Sequence, residues 1–149
     1  MTELLLRPAR STDAGKAGAI LSKFVKDTAW MPRIHTEAED IGFVGSMTEK
    51  GWVTVAMQGD KFAGFLACDM GEVNALYIRC SAWRQGCGVA LLRHAQDVFK
   101  KLSLWTFQAN IDAQAFYLVH GFAEVERTNG DGNDEHLPDI RFDWHKETS

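Results

Sequence analysis

Several large protein classes are excluded by what this sequence lacks. Its three cysteines, Cys68, Cys80 and Cys87, are odd in number and form no C-x-x-C. That argues against a disulfide scaffold, and a reduced, cytoplasmic protein is the expectation. Basic charge is scarce: 16 Lys and Arg face 20 Asp and Glu, a net charge of -4. No electrostatic footprint for nucleic acid results, so no nucleic-acid partner is expected. No apolar run approaches the roughly 18 residues of a membrane span, so no membrane partner is expected either. Met1-Thr2-Glu3 opens without the charged-then-apolar pattern of a signal segment. The five histidines show no H-E-x-x-H spacing, and no metal is expected. Asn129 to Asp134 hints at a calcium loop, but Asp134 and Ile140 stand where that pattern needs Gly and Glu. No repeat or long linker divides the 149 residues, so one domain over residues 1–149 is expected.

What is present alternates between two periods. Leu4-Leu5-Leu6 reads as a first strand ended by Arg7-Pro8. Ser11-Thr12-Asp13 offers N-cap side chains, and Ala17, Ile20, Leu21 and Phe24 follow at helical spacing. Trp30-Met31-Pro32 breaks that helix. Thr36 to Glu39 forms a capping box for a second, with Ile41, Val44 and Met47 on its apolar stripe. Trp52–Met57 and Phe62–Ala67 flank Gly59-Asp60 and read as a hairpin. Gly71 precedes a further strand, Glu72 to Ile78. A helix is expected from Val89 to about Lys101, with Leu92, Ala95, Phe99 and Leu102 on one face. Leu104 to Phe107 is another short strand. Asp112 is placed to cap a short helix that Gly121 terminates, with Phe122 as the apolar contact after the stop. Phe122–Arg127 and the alternating Ile140, Phe142 and Trp144 complete a closing hairpin around a polar, acidic loop. The reading is an α/β (α+β) fold, a mixed central sheet of about seven strands with helices on both faces.

Chemistry concentrates in Trp83-Arg84-Gln85-Gly86-Cys87-Gly88-Val89. A strand leads into this Gly-bearing turn and a helix leaves it. The first N–H groups of a helix lack internal partners, and the helix dipole adds partial positive charge there. Glycines let a bulky anion approach the backbone. The expectation is a phosphate or pyrophosphate cradle. No G-x-x-x-x-G-K-[ST] run exists, and a dinucleotide G-x-G-x-x-G fails because Leu91 stands at its third position.

Two motifs carry a more specific likeness. The turn resembles the Q/R-x-x-G-x-G/A motif of the GCN5-related N-acetyltransferase (GNAT) family, with Trp83 where the family usually has Gln or Arg. The strand Val73-Asn74-Ala75-Leu76-Tyr77-Ile78 resembles that family's strand before the cradle. Asn110, Ala113, Phe116-Tyr117 and Gly121-Phe122 resemble its second motif, at the right separation.

The resemblance implies a mostly antiparallel sheet and acetyl-coenzyme A as co-substrate, bound where two neighbouring strands splay. It implies that the donor's arm pairs with the backbone of Leu76 and Ile78. The pyrophosphate then sits on the N–H groups of Arg84, Gln85, Gly86, Gly88 and Val89, and Asn110 and Phe116 complete the donor site. Tyr117 is the implied general acid and the Ile78 N–H the carbonyl polariser. Glu72 is the implied general base through water, with His35 and Glu37 as other groups able to reach the acceptor. Trp30 and Met31 belong to the segment that shapes the acceptor pocket. The implied activity is acetyl transfer to a primary amine, on a small molecule or a protein, and a homodimer is a possible assembly. The alternative is a non-catalytic acyl-coenzyme A sensor on the same fold. Cys87 reads as a small filler in the cradle.

Overall fold

The computed structural model describes residues 3–147. The reading of Met1 and Thr2 as free of a signal pattern lies outside the described residues. The chain runs β1 (Leu4–Pro8), α1 (Ala14–Asp27), α2 (Glu37–Glu49), β2 (Val53–Gln58), β3 (Lys61–Asp69), β4 (Glu72–Ile78), α3 (Cys87–Val98), β5 (Lys101–Phe107), α4 (Ile111–Val119), β6 (Ala123–Thr128) and β7 (Asp139–His145). Short 3-10 turns precede α1 and α3. The strands form one seven-stranded sheet in the order β1-β2-β3-β4-β5-β7-β6. Every neighbouring pair is antiparallel except β4 and β5. Among the described residues, no helix is long and apolar enough to cross a membrane.

Apolar side chains on the two sheet faces build two cores. On one face Ala17 of α1 and Val44 and Met47 of α2 pack with Val53, Val55, Phe65 and Ala75. On the other, Leu91, Leu92 and Ala95 of α3 and Tyr117 of α4 pack with Leu66, Val73, Leu102, Leu104 and Phe142. Helices therefore cover both faces, as the pattern of periods predicts.

Local chemistry sets the helix ends. Thr36 Oγ1 accepts from the Glu39 N–H at 3.1 Å, and the Glu39 carboxylate accepts from the Thr36 N–H at 3.0 Å. This is the predicted capping box of α2. Helix α4 stops as predicted: Gly121 has φ 90°. The N–H of Phe122 returns to the Tyr117 carbonyl at 3.0 Å, and that of Gly121 to Leu118 at 3.3 Å. The rings of Tyr117 and Phe122 meet at 5.4 Å, the apolar contact of this kind of stop.

Some boundaries differ from expectation. Helix α3 begins at Cys87 rather than Val89 and ends at Val98 rather than near Lys101. Phe99 is already extended, with φ -114° and ψ 146°. Leu102 is buried from strand β5, not from the helix face expected of it. Asp112 does not cap α4. Asn110 does, its Oδ1 accepting from the Ala113 N–H at 3.1 Å.

Gly64 on β3 is a point of close approach. A Cβ there lies 2.5 Å from the Tyr77 carbonyl oxygen and 2.6 Å from Ile78 Cδ1. Gly64→Ala must therefore push β3 from β4. It is expected to cost about 1–3 kcal/mol, read as a lower urea midpoint, and an unchanged midpoint refutes the close-packing account.

Candidate active site

The site begins where two parallel strands part. Strands β4 and β5 pair only at Glu72↔Ser103 and Val73↔Leu104. At that point β4 carries a bulge. Ala67 opposes Ala75 and Cys68 opposes Val73, which leaves Asn74 as the extra residue. A bulge bends and twists its strand. Beyond it lies a cleft of about 680 Å³, walled by β4, β5 and the first turns of α3 and α4.

The edge of β4 that faces this cleft lacks a strand partner past Val73. The Arg79 N–H donates to the Ala63 carbonyl at 2.7 Å. Antiparallel ladders alternate bonded and non-bonded pairs. With Gly64 opposite Ile78 and Leu66 opposite Leu76, the backbone groups of Leu76 and Ile78 therefore point away from β3. One of them has a side-chain partner. The Trp83 indole N–H donates to the Ile78 carbonyl at 2.8 Å, although Trp83 is 56% exposed.

The turn after β4 has two left-handed residues, Arg84 (φ 64°) and Gly86 (φ 88°). Gly86 is the N-cap of α3, and the Ala90 N–H bonds back to its carbonyl at 2.9 Å. The N–H groups of Cys87, Gly88 and Val89 are thus the helix's unpartnered first donors. A Cβ on Gly88 meets Phe116 Cζ at 3.6 Å, which sets the floor of the cradle. Arg84, Gly86, Gly88, Val89, Asn110 and Phe116 all line the cleft. Gln85 does not. Its side chain turns to the sheet, accepting from Gln58 Nε2 at 2.7 Å and donating to the Ser81 carbonyl at 3.0 Å. Gln85 offers the cradle its backbone alone. Cys87 is 1% exposed, and burial pushes its thiol up. This fits a filler and not a nucleophile.

Tyr117 lines the cleft from α4 and is 9% exposed. Burial holds its hydroxyl far above the ordinary phenol range, with nearby Tyr77 adding to the rise. Tyr77, on β4, is pushed up to about 12, first by burial and then by the charges of Glu135 and Asp40. Both phenols stay protonated through neutral pH.

The remaining predicted residues are dispersed. Glu72 stands at the closed end of the cleft and is not part of its wall. Its two carboxylate oxygens accept from Arg141 at 2.8 and 3.2 Å. His35 and Glu37 do not reach the wall, and His35 Nδ1 lies 3.7 Å from Glu39. Met31 does line the cleft, while Trp30 stands behind it, edge-on to Phe107 at 5.8 Å. Sequence reasoning missed Phe24, Tyr77 and Phe107 as wall residues. Their apolar character reads as core, and only the splay exposes them. Among the described residues no group of three His, Cys, Asp or Glu is placed to hold a metal.

Comparison with known proteins identifies the family and the fold. The profile of the acetyltransferase (GNAT) family matches residues 20–122. The chain belongs to that family and is a GNAT acetyltransferase. A sequence comparison with curated proteins finds no match. Among solved structures, apo YjaB from Escherichia coli is similar at 22% identity and TM-score 0.79, covering 97% of this chain and 99% of that one. The putative acetyltransferase yncA from Salmonella typhimurium, solved with its cofactor acetyl-CoA, is 15% identical with TM-score 0.77, covering 99% and 96%. The ribosomal-protein-S18-alanine N-acetyltransferase from Escherichia coli is 20% identical with TM-score 0.72, covering 99% and 96%. At these identities the likeness is one of fold.

The two cradle glycines differ in what they require. No atom lies within 4 Å of a Cβ on Gly86, so its need is the left-handed backbone alone. Gly86→Ala is expected to lose roughly 1–2 kcal/mol in urea unfolding. Gly88→Ala, whose Cβ makes only ordinary contacts, is expected to stay within about 0.5 kcal/mol of the parent. Equal losses in the two variants refute the distinction.

Proposed function

We propose that this protein transfers the acetyl group of acetyl-coenzyme A directly to a primary amine, on a small molecule or a protein. The observation that carries the reading is a run of free donors. The N–H groups of Leu76 and Ile78, which have no strand partner on the β5 side, lead through the Gly86 turn to the open N-terminus of α3, and a buried phenol lines the same cleft. An extended polyamide arm suits a free strand edge. A pyrophosphate suits a helix N-terminus. Arg84, on the cleft wall, adds a charge-assisted contact to the phosphates.

The donor supplies an acyl group activated as a thioester. The reaction forms a C–N bond and breaks a C–S bond. The amine gives up a proton and the leaving sulfur takes one. The Ile78 N–H polarises the acyl carbonyl, as oxyanion donors do. Tyr117 protonates the sulfur. A free thiol has a pKa of about 8.5, so a phenol raised by burial is a donor to it throughout the neutral range. Glu72 accepts the amine's proton through water, from the closed end of the cleft.

Calorimetric titration with acetyl-coenzyme A and, separately, with NADH tests the donor. Micromolar binding of the first and none of the second is expected, and no acetyl-coenzyme A binding sinks the proposal. Tyr117→Phe is expected to lower kcat about 10²-fold with donor affinity unchanged. An unchanged kcat removes Tyr117 as the acid, and donor binding without thiol release across an amine panel assigns the protein instead to acyl-coenzyme A sensing. Because the Tyr117 pKa is raised, its protonated, active form persists as pH rises past the ordinary phenol value. No alkaline loss of kcat from this group is expected below about pH 10. Glu72→Gln is expected to lower kcat about 10²-fold in an initial-rate assay. A loss under threefold leaves Glu72 as the partner of Arg141 alone.

A further inference from the structure

Past Tyr117, the cleft changes character. The cradle half presents glycines, backbone N–H groups and Arg84. The other half is walled by Phe24 of α1, Met31 of the α1–α2 connection, Tyr77 of β4 and Phe107 of β5. These rings are braced by others. Phe24 meets Tyr77 at 5.4 Å, Tyr77 meets Phe65 at 5.9 Å, and Trp30 stands edge-on to Phe107 at 5.8 Å. Phe65 is fully buried, so Tyr77 rests on the core. The wall is therefore a preformed apolar slot.

Carboxylates outnumber cations on and near the cleft wall, where Arg33, bonded to Ser22 Oγ at 2.8 Å, offsets the buried Asp40. Asp112 lines the cleft from the first turn of α4. Glu135, from the β6–β7 loop, and Asp40, from α2, are near enough to act on Tyr77. Asp40 is buried and accepts from Ser22 Oγ at 2.8 Å, which leaves Asp112 and Glu135 as the more accessible pair. Arg84 is the one cation among the described wall residues, and it belongs to the cradle. A protonated amine entering here meets carboxylates at the rim and ring faces inside, both favourable to a cation. A sugar or other polyhydroxylated amine would bury hydroxyls against Phe24, Met31 and Phe107, where few partners exist.

We infer that the acceptor is a small primary amine carried on a flat apolar body, an arylalkylamine, seated between Phe24, Met31 and Phe107 with its nitrogen drawn in by Asp112 and Glu135. This rests on the acetyl-transfer reading above for its chemistry, and on the shape and composition of the slot for its specificity.

The test uses 2-phenylethylamine, n-butylamine and glucosamine. Calorimetric titration with and without coenzyme A reads the slot free of turnover, and initial rates of thiol release from acetyl-coenzyme A read it with turnover. Preference for 2-phenylethylamine over glucosamine by at least tenfold, in Kd and in kcat/KM, is the expected result, with n-butylamine between. Phe24→Ala is expected to narrow that gap below threefold while acetyl-coenzyme A affinity stays within twofold. Since Phe24 also supports Tyr77, Met31→Lys is the second variant. It is expected to abolish 2-phenylethylamine binding at an unchanged thermal midpoint. Equal or better use of glucosamine, or no binding of 2-phenylethylamine in either form, overturns the inference and leaves acetyl transfer standing. Absence of both acetyl-coenzyme A binding and thiol release overturns acetyl transfer, and the order in the coenzyme-free titration then still decides the chemistry of the slot.

Discussion

Between β4 and β5 the backbone ladder lasts for two residue pairs and then stops. Strands side by side normally satisfy each other's N–H and C=O groups, and buried ones are seldom left without partners. Here the bulge at Asn74 turns β4 aside, and the remaining groups open onto a cleft instead. The closed end is held by an ion pair that spans three strands. Glu72 at the start of β4 takes two hydrogen bonds from Arg141 on β7, and the Arg141 guanidinium lies 5.4 Å from the Trp105 ring centre on β5. Glu72 is 37% exposed, so this pair is a modest source of stability. Its geometric effect is to keep the strands together just below the point where they part.

The two helices that follow β4 and β5 exploit the gap. Helix α3 begins at its mouth and aims its first N–H groups across it. Helix α4 begins on the far side, where Asn110 both caps the helix and joins the wall. Tyr117 sits two turns along α4, in the same core as Leu91, Leu92 and Phe142. Packing holds the phenol in place, and burial keeps its proton on.

Much of this was legible in the residues. The switch from helical to alternating period placed all seven strands and all four helices. Gly86 and Gly88 marked the turn that opens α3, and Gly121-Phe122 marked the end of α4. The errors have a common cause. Leu92, Ala95, Phe99 and Leu102 fit one helical stripe, yet Leu102 is buried from the next strand, because a buried strand and a buried helix demand the same side chain. Asp112 and Asn110 are both capping residues, and chain geometry, not residue type, chose Asn110. The side chain of Gln85 and the pairing of Glu72 with Arg141 depend on contacts 27 and 69 residues away, which no local pattern reveals. Phe24, Tyr77 and Phe107 read as core because the strand bulge that uncovers them is not written in any hydrophobic period.

The Trp83 hydrogen bond to Ile78 has a consequence for how tightly the cleft holds what enters it. An open strand edge inside a protein is a template on which other extended chains, wanted or unwanted, could dock. Covering one of its carbonyls with an indole removes part of that template. It also means that an incoming amide replaces an existing bond there instead of adding a new one, and an exchange of equals contributes little net free energy. An extended chain that docked there would therefore be held less tightly at Ile78 than on a bare edge, and would leave sooner.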